Sequence, residues 1–199
     1  SWAYAPEALK TGYDHDPQRA ERLLDEAGWT KGPDGIRVKD GRRFSFTLDT
    51  QVGYAPTANL MQRQWRQIGV EVKPRVEDFA AYGQRVRETR DFEMYLGRVG
   101  LGVDPDQTVL WGTDGSLNWG KYSNPRVDEL LARGLAEPDQ ERRKALYLEM
   151  QNIVLDEAPA VALTFLQSTF ALNKRVHNLK PNAVNTRWNV HLWWVEDGK

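Results

Sequence analysis

Apolar residues recur at helical spacing in Ala20, Leu23, Leu24 and Ala27, behind an Asp16-Pro17 start and ahead of Gly28. A capping aspartate, a first-turn proline and a closing glycine together predict one helix. Ile36 and Val38 then alternate with polar residues, Asp40-Gly41 supplies a two-residue turn, and Phe44, Phe46 and Leu48 alternate again. That pattern predicts a hairpin. Ala58, Met61, Trp65 and Ile68 form one apolar helix face closed by Gly69, followed by a strand through Val70 and Val72. Asp78 caps a predicted short helix carrying Phe79, Tyr82 and Val86, and Phe92 to Val99 reads as a strand. Further helices are predicted from Asp104-Pro105, from Asn124-Pro125 and from Asp139, with Asp104 and Asn124 as structural caps. Val161 to Leu166 is nearly continuously apolar, the pattern of a strand buried on both faces. Phe170 to Leu172 predicts a last strand, and the chain from Asn173 onward reads as irregular. Strands alternate with helices between Leu48 and Leu166, which predicts an α/β layer architecture.

Composition narrows the function classes. The chain has 199 residues, 40% hydrophobic and 28% charged, which suits a globular domain. A net charge of −1 gives no basic field for a nucleic-acid partner. No apolar run approaches the length of a membrane span. The absence of cysteine removes disulfides, thiolate metal sites and cysteine nucleophiles together. Eight tryptophans serve as core and rim side chains or as flat surfaces for stacking a ligand.

Catalytic and cofactor patterns fail individually. Gly115 to Lys121 reads G-S-L-N-W-G-K, but Tyr122 stands where a phosphate-binding loop needs a Ser or Thr for magnesium. Gly97, Gly100 and Gly102 are spaced G-x-x-G-x-G, not in the dinucleotide order. His15, His177 and His191 are far apart in sequence. Asp104 and Asp106 remain as carboxylates for a glycosidase-like pair, against a plain capping role.

An ordered series carries a resemblance. It runs Tyr13-Asp14-His15-Asp16-Pro17, then Ala27-Gly28-Trp29, then Gln64-Trp65-Arg66-Gln67-Ile68-Gly69-Val70. It continues through Asp91-Phe92-Glu93, Gly97, Asp104-Pro105, Asn118, Tyr122-Ser123-Asn124-Pro125, Tyr147, Gln151 and Pro159. The series resembles the C-terminal portion of the extracytoplasmic solute-binding proteins of ABC importers, family 5, which serve peptides, nickel chelates and some oligosaccharides. The resemblance implies an α/β, periplasmic-binding-protein-like lobe with a mixed sheet flanked by helices, plus a C-terminal return segment. Residues 1–13 would be an irregular lead-in from a missing N-terminal part, 14–166 the ligand-binding lobe, and 167–199 the return segment.

The resemblance also implies function: binding of a small-molecule or peptide solute in an inter-lobe cleft, without chemistry, cofactor or metal. Partners would be a membrane permease and the missing N-terminal lobe, with no nucleic acid, in the periplasm or anchored outside the membrane. The cleft wall it indicates comprises Arg98, Val99, Gly100, Leu101 and Gly102, with Asn118 and Trp119 in the following loop. In peptide-binding members an aspartate three residues before the Asp-Pro pairs with the ligand's amino group; that position is Leu101 here. Arg98 stands where some members place a pocket-lining aromatic, and a buried arginine there would fork onto a carboxylate or phosphate. A ligand-sensing module of a regulatory protein and a carbohydrate-active enzyme using Asp104 or Asp106 are the alternatives.

Overall fold

A computed structural model describes residues 2–3, 13–100, 102, 104–165, 169, 171–182, 185 and 187–197. Most of the 1–13 lead-in, Leu101, Leu166 and Phe170 lie outside the described residues.

The first helix, α1 (Pro17–Glu26), starts where the sequence predicts, with the Asp16 side chain accepting from Arg19 N. Short strands β1 (Thr30–Lys31), β2 (Arg37–Lys39) and β3 (Arg42–Arg43) make a small antiparallel sheet. Asp40 and Gly41 both take positive φ, as a tight hairpin turn between β2 and β3 requires. The predicted hairpin is therefore real but shorter than its apolar alternation suggests. Its second arm ends at Arg43, and β4 (Ser45–Gln51) belongs to a different sheet.

That second sheet is parallel. After α2 (Ala55–Gln67) comes β5 (Glu71–Glu77), then α3 (Phe79–Gly83), a π-helical extension Gln84–Thr89, and β6 (Met94–Leu96). Strand order is β5-β4-β6, with Ser45 opposite Glu71 and Leu48 opposite Met94. Central position buries Leu48, Asp49 and Thr50 consecutively. The strand predicted over Phe92–Val99 contracts to three residues, because β4 turns away after Gln51 and leaves no further partner. Helix α2 lays Ala58, Met61 and Trp65 against Leu48, Val70, Val72 and Phe46. Arg37 locks this layer to α1: it is only 1% exposed, and donates to Ile68 O at 2.8 Å, to Trp29 O at 2.5 Å and to Asp25. Gly69 is needed beside it, since its φ is +87° and a Cβ there would lie 2.7 Å from Arg37 Cγ.

A second core forms between α5 (Pro125–Ala136) and α6 (Gln140–Glu157), which follow the one-turn α4 (Thr108–Trp111). Val127, Leu130 and Leu131 meet Tyr147, Met150 and Val154. Asn124 caps α5 by accepting from Arg126 N and Val127 N, and Asp139 caps α6 through Arg142 N, both as predicted. Gly134 lets the Tyr147 ring approach, since a Cβ would lie 2.8 Å from it.

Three predictions fail after α6. Residues 161–165 form no strand, and Val161, Leu163 and Phe165 are exposed, Phe165 by 90%. An apolar run becomes a strand only where a sheet edge meets it, and within the described residues none does. Residues 171–172 are likewise irregular. The end of the chain, read as irregular, instead pairs β7 (Val176–His177) with β8 (Trp194–Val195). Asn189, buried beneath this ribbon, donates to Asn178 O and accepts from Trp193 Nε1.

Candidate functional site: the carboxyl ends of the parallel strands

In open parallel sheets, ligands gather beyond the carboxyl ends of the strands. Here that edge carries three segments. They are the turn Val52–Tyr54 after β4, Asp78 and the start of α3 after β5, and Gly97-Arg98-Val99-Gly100 after β6.

The predicted wall residues sit as follows. Arg98 is exposed, which corrects the expectation of a buried arginine; the strand ends at Leu96, so its side chain leaves the sheet. Val99 is half-buried. Gly100 and Gly102 are exposed, with open space where a Cβ would point. Leu101 lies outside the described residues.

Asn118 and Trp119 face inward, not outward. The buried Asn118 amide donates to Gly112 O at 3.0 Å and to Tyr122 O at 2.7 Å, and its Oδ1 accepts from Tyr122 N at 2.9 Å. Such an amide closes the 112–122 loop on itself, because each hydrogen bond satisfies a backbone group that the turn leaves unpaired. The Trp119 ring, 8% exposed, packs 5.7 Å from Tyr95 and joins Tyr82 and Val86 in a small core. Trp111 packs against Tyr122 and the α5–α6 core.

Asp104 does not cap a helix, because α4 begins four residues later, at Thr108, and Gln107 occupies its cap position. Asp104 instead accepts from Asp106 N and takes two hydrogen bonds from Arg143 at 2.7 and 2.8 Å. The Arg143 guanidinium holds its carboxyl below the usual aspartate range. Asp106 is engaged by Thr108 N and Thr108 Oγ1. Both carboxylates of the glycosidase alternative are thus bound into the turn that leads to α4. Among the described residues, no group of three or more His, Cys, Asp or Glu is placed to hold a metal ion.

Sequence reading missed the charged network behind this edge. Asp49, fully buried, receives Arg75 Nε at 2.5 Å and Nη2 at 2.9 Å, with Arg85 Nε 3.5 Å away. Arg85 also forks onto Glu77 at 2.9 Å and reaches Asp91 at 3.2 Å. The hydrogen bonds from Arg85 keep the Glu77 carboxyl below its ordinary value. A charge set inside an apolar strand was the available signal; the partner depends on the β4–β5 register, which no local pattern encodes. Beside the network, Tyr82 Oη is buried without a hydrogen-bond partner and lies against Gly97. Burial drives its phenol pKa upward.

Two open hollows occur elsewhere. One of about 390 Å³ is lined by Trp2 and Arg143, and one of about 620 Å³ by Thr108, Val109, Gly112 to Ser116 and Asp128. Neither includes the segment after β6.

The same fold recurs in known proteins. The oligopeptide-binding protein AppA of Bacillus subtilis is 26% identical over 98% of this chain and 37% of its own length. Protein XP55 of Streptomyces lividans is 35% identical over 80% of this chain and 30% of its own. The structure of Bacillus subtilis AppA in complex with a nonapeptide superimposes on 99% of this chain with a TM-score of 0.89, at 25% identity, over 41% of the AppA chain. NikZ of Campylobacter jejuni, in complex with Ni(L-His), matches 97% with a TM-score of 0.84 at 25% identity, over 41% of its chain. This chain therefore spans well under half the length of the relatives it matches. Residues 1–121 match the family described as bacterial extracellular solute-binding proteins, family 5 Middle. The α/β architecture and a family match over more than half of the sequence agree: this chain belongs to the family 5 bacterial extracellular solute-binding proteins.

Proposed function

We propose that this chain forms the C-terminal part of the substrate-binding component of an ABC importer, and that it supplies one wall of an inter-lobe cleft. The solute is small and polar, a peptide or a related compound, and it is bound and released without chemistry. The observation that carries this reading is the superposition on AppA across nearly the entire chain, for a protein described with a bound nonapeptide. Arg98, Val99, Gly100, Leu101 and Gly102 form the wall beyond β6. Asn118 and Trp119 contribute by fixing the loop behind it, since their polar and aromatic contacts already face the protein. The missing N-terminal lobe supplies the opposite wall and a permease receives the solute. The site of action is periplasmic, or membrane-anchored outside the cytoplasm. No described helix is long and apolar enough to cross a membrane.

Half a cleft encloses little of a ligand, and affinity depends on enclosing it. Native mass spectrometry of the longer protein should therefore retain one solute, and this chain alone should bind that solute at least about a hundredfold more weakly, the equivalent of about 2.8 kcal/mol. Equal affinity, or turnover of a substrate by the chain, would sink the proposal.

A further inference from the structure

Arg87 differs from its neighbour Arg85. Arg85 is engaged by three carboxylates, whereas among the described residues no carboxylate lies within ion-pair distance of Arg87. Its guanidinium lies over two rings instead, 5.2 Å from the centroid of Phe79 and 5.2 Å from that of Trp119. Phe79 follows Asp78 directly beyond the carboxyl end of β5, and Trp119 packs beside Tyr95 of β6. These contacts thus stand at the functional edge of the sheet.

The arrangement has a chemical consequence. Contact with two rings leaves the N–H rim of the guanidinium, which has no carboxylate partner among the described residues, available to a ligand. A planar acceptor with two oxygens matches that rim through two parallel hydrogen bonds. Trp119 is 8% exposed and held by the small core, whereas Phe79 is 65% exposed, a large apolar ring kept at the surface against the usual tendency. Contact with the guanidinium gives Phe79 a reason to be there, and it removes rotamer freedom that a ligand would otherwise have to quench.

We infer that Arg87, in contact with the rings of Phe79 and Trp119, is a carboxylate-recognising position of the cleft wall, so that the transported solute carries a carboxylate group. The inference rests on the solute-binding reading for its biological meaning, but its chemistry is testable on this chain alone. The Arg87 Nε–Hε resonance, assigned by its loss in Arg87→Gln, is followed while sodium acetate replaces sodium chloride at constant ionic strength. Acetamide serves as the uncharged isostere and inorganic phosphate as a non-planar anion. A saturable shift with acetate, absent with acetamide and weaker with phosphate, is expected. Phe79→Ala should weaken the apparent acetate affinity about threefold, consistent with loss of one exposed cation–π contact. A shift that does not saturate, that acetamide reproduces, that phosphate exceeds, or that Phe79→Ala leaves unchanged overturns the assignment. Such a failure leaves solute binding by the longer protein standing, whereas a longer protein that retains no solute leaves the acetate result at Arg87 intact.

Discussion

Arg75 donates through Nε and Nη2 to both oxygens of Asp49, at 2.5 and 2.9 Å, from the directly opposite position of the neighbouring parallel strand. Asp49 is fully buried while Arg75 is partly exposed, so the two partners are not equivalent. Arg75→Ala leaves a buried carboxylate with only Arg85 at 3.5 Å. The expected loss is about 3 kcal/mol, read as a lower urea midpoint at unchanged slope. Asp49→Asn should lose less, because the amide oxygen still accepts and no buried charge remains.

Gly97 and Tyr82 are coupled. A Cβ at Gly97 would collide with Tyr82 Oη, while the next ring atom, Cζ, stands 3.5 Å away at ordinary contact. Gly97→Ala should therefore destabilise the native chain by about 1–3 kcal/mol. Tyr82→Phe removes an unpaired buried hydroxyl and should be neutral or stabilising. In the Tyr82→Phe background, Gly97→Ala should be nearly silent. Additive effects in this double-mutant cycle would refute the contact.

Asn118 holds its loop through a side chain that cannot be replaced by a backbone group. Asn118→Ala should lower stability by about 1–3 kcal/mol, because Gly112 O, Tyr122 O and Tyr122 N lose a partner together. Asn118→Asp retains acceptance from Tyr122 N but sets a carboxylate against two carbonyls, and should be at least as damaging. Calorimetric melting temperatures of the three proteins rank the effect.

Acid should weaken the fold through depressed carboxyls. Glu77 titrates below its ordinary value of 4.5, first because Arg85 donates to it. A depressed folded value means the stabilisation is complete above the ordinary value and disappears as pH falls through the folded one. Glu71, held low first by the Ser45 hydroxyl, and Asp104, held low by Arg143, act in the same direction. Urea midpoints should thus decline below about pH 4.5, and Glu77→Gln should flatten that decline while lowering the midpoint at neutral pH.

The stretch from Val161 to Phe165 exposes alternate apolar side chains. Replacing Val161 and Leu163 with lysine should improve solubility of the isolated chain and change its unfolding free energy by less than about 0.5 kcal/mol, because neither side chain is packed. A large loss of stability would show that these residues are packed in solution.

What the sequence determined by itself was local. The starts of α1, α5 and α6 were legible because Asp16, Asn124 and Asp139 bond to amides two or three residues ahead, within reach of any reading of neighbours. The ends at Gly28 and Gly69 were legible because only glycine takes those positive φ values readily. The ordered motif series also indicated the family, and the match over residues 1–121 agrees with it. Asp104-Pro105 carried the same local signal as the true caps, yet Arg143, 39 residues away, took the carboxylate for an ion pair. Tertiary structure alone decided the rest, since sheet membership and side-chain partners are set by contacts distant in sequence. It split the alternating run at Phe44 between two sheets, left 161–165 without a strand partner, and turned Asn118 and Trp119 inward. It also brought Arg87 against two rings eight and thirty-two positions away, a juxtaposition that only the packing of α3 and its extension against the 112–122 loop could create.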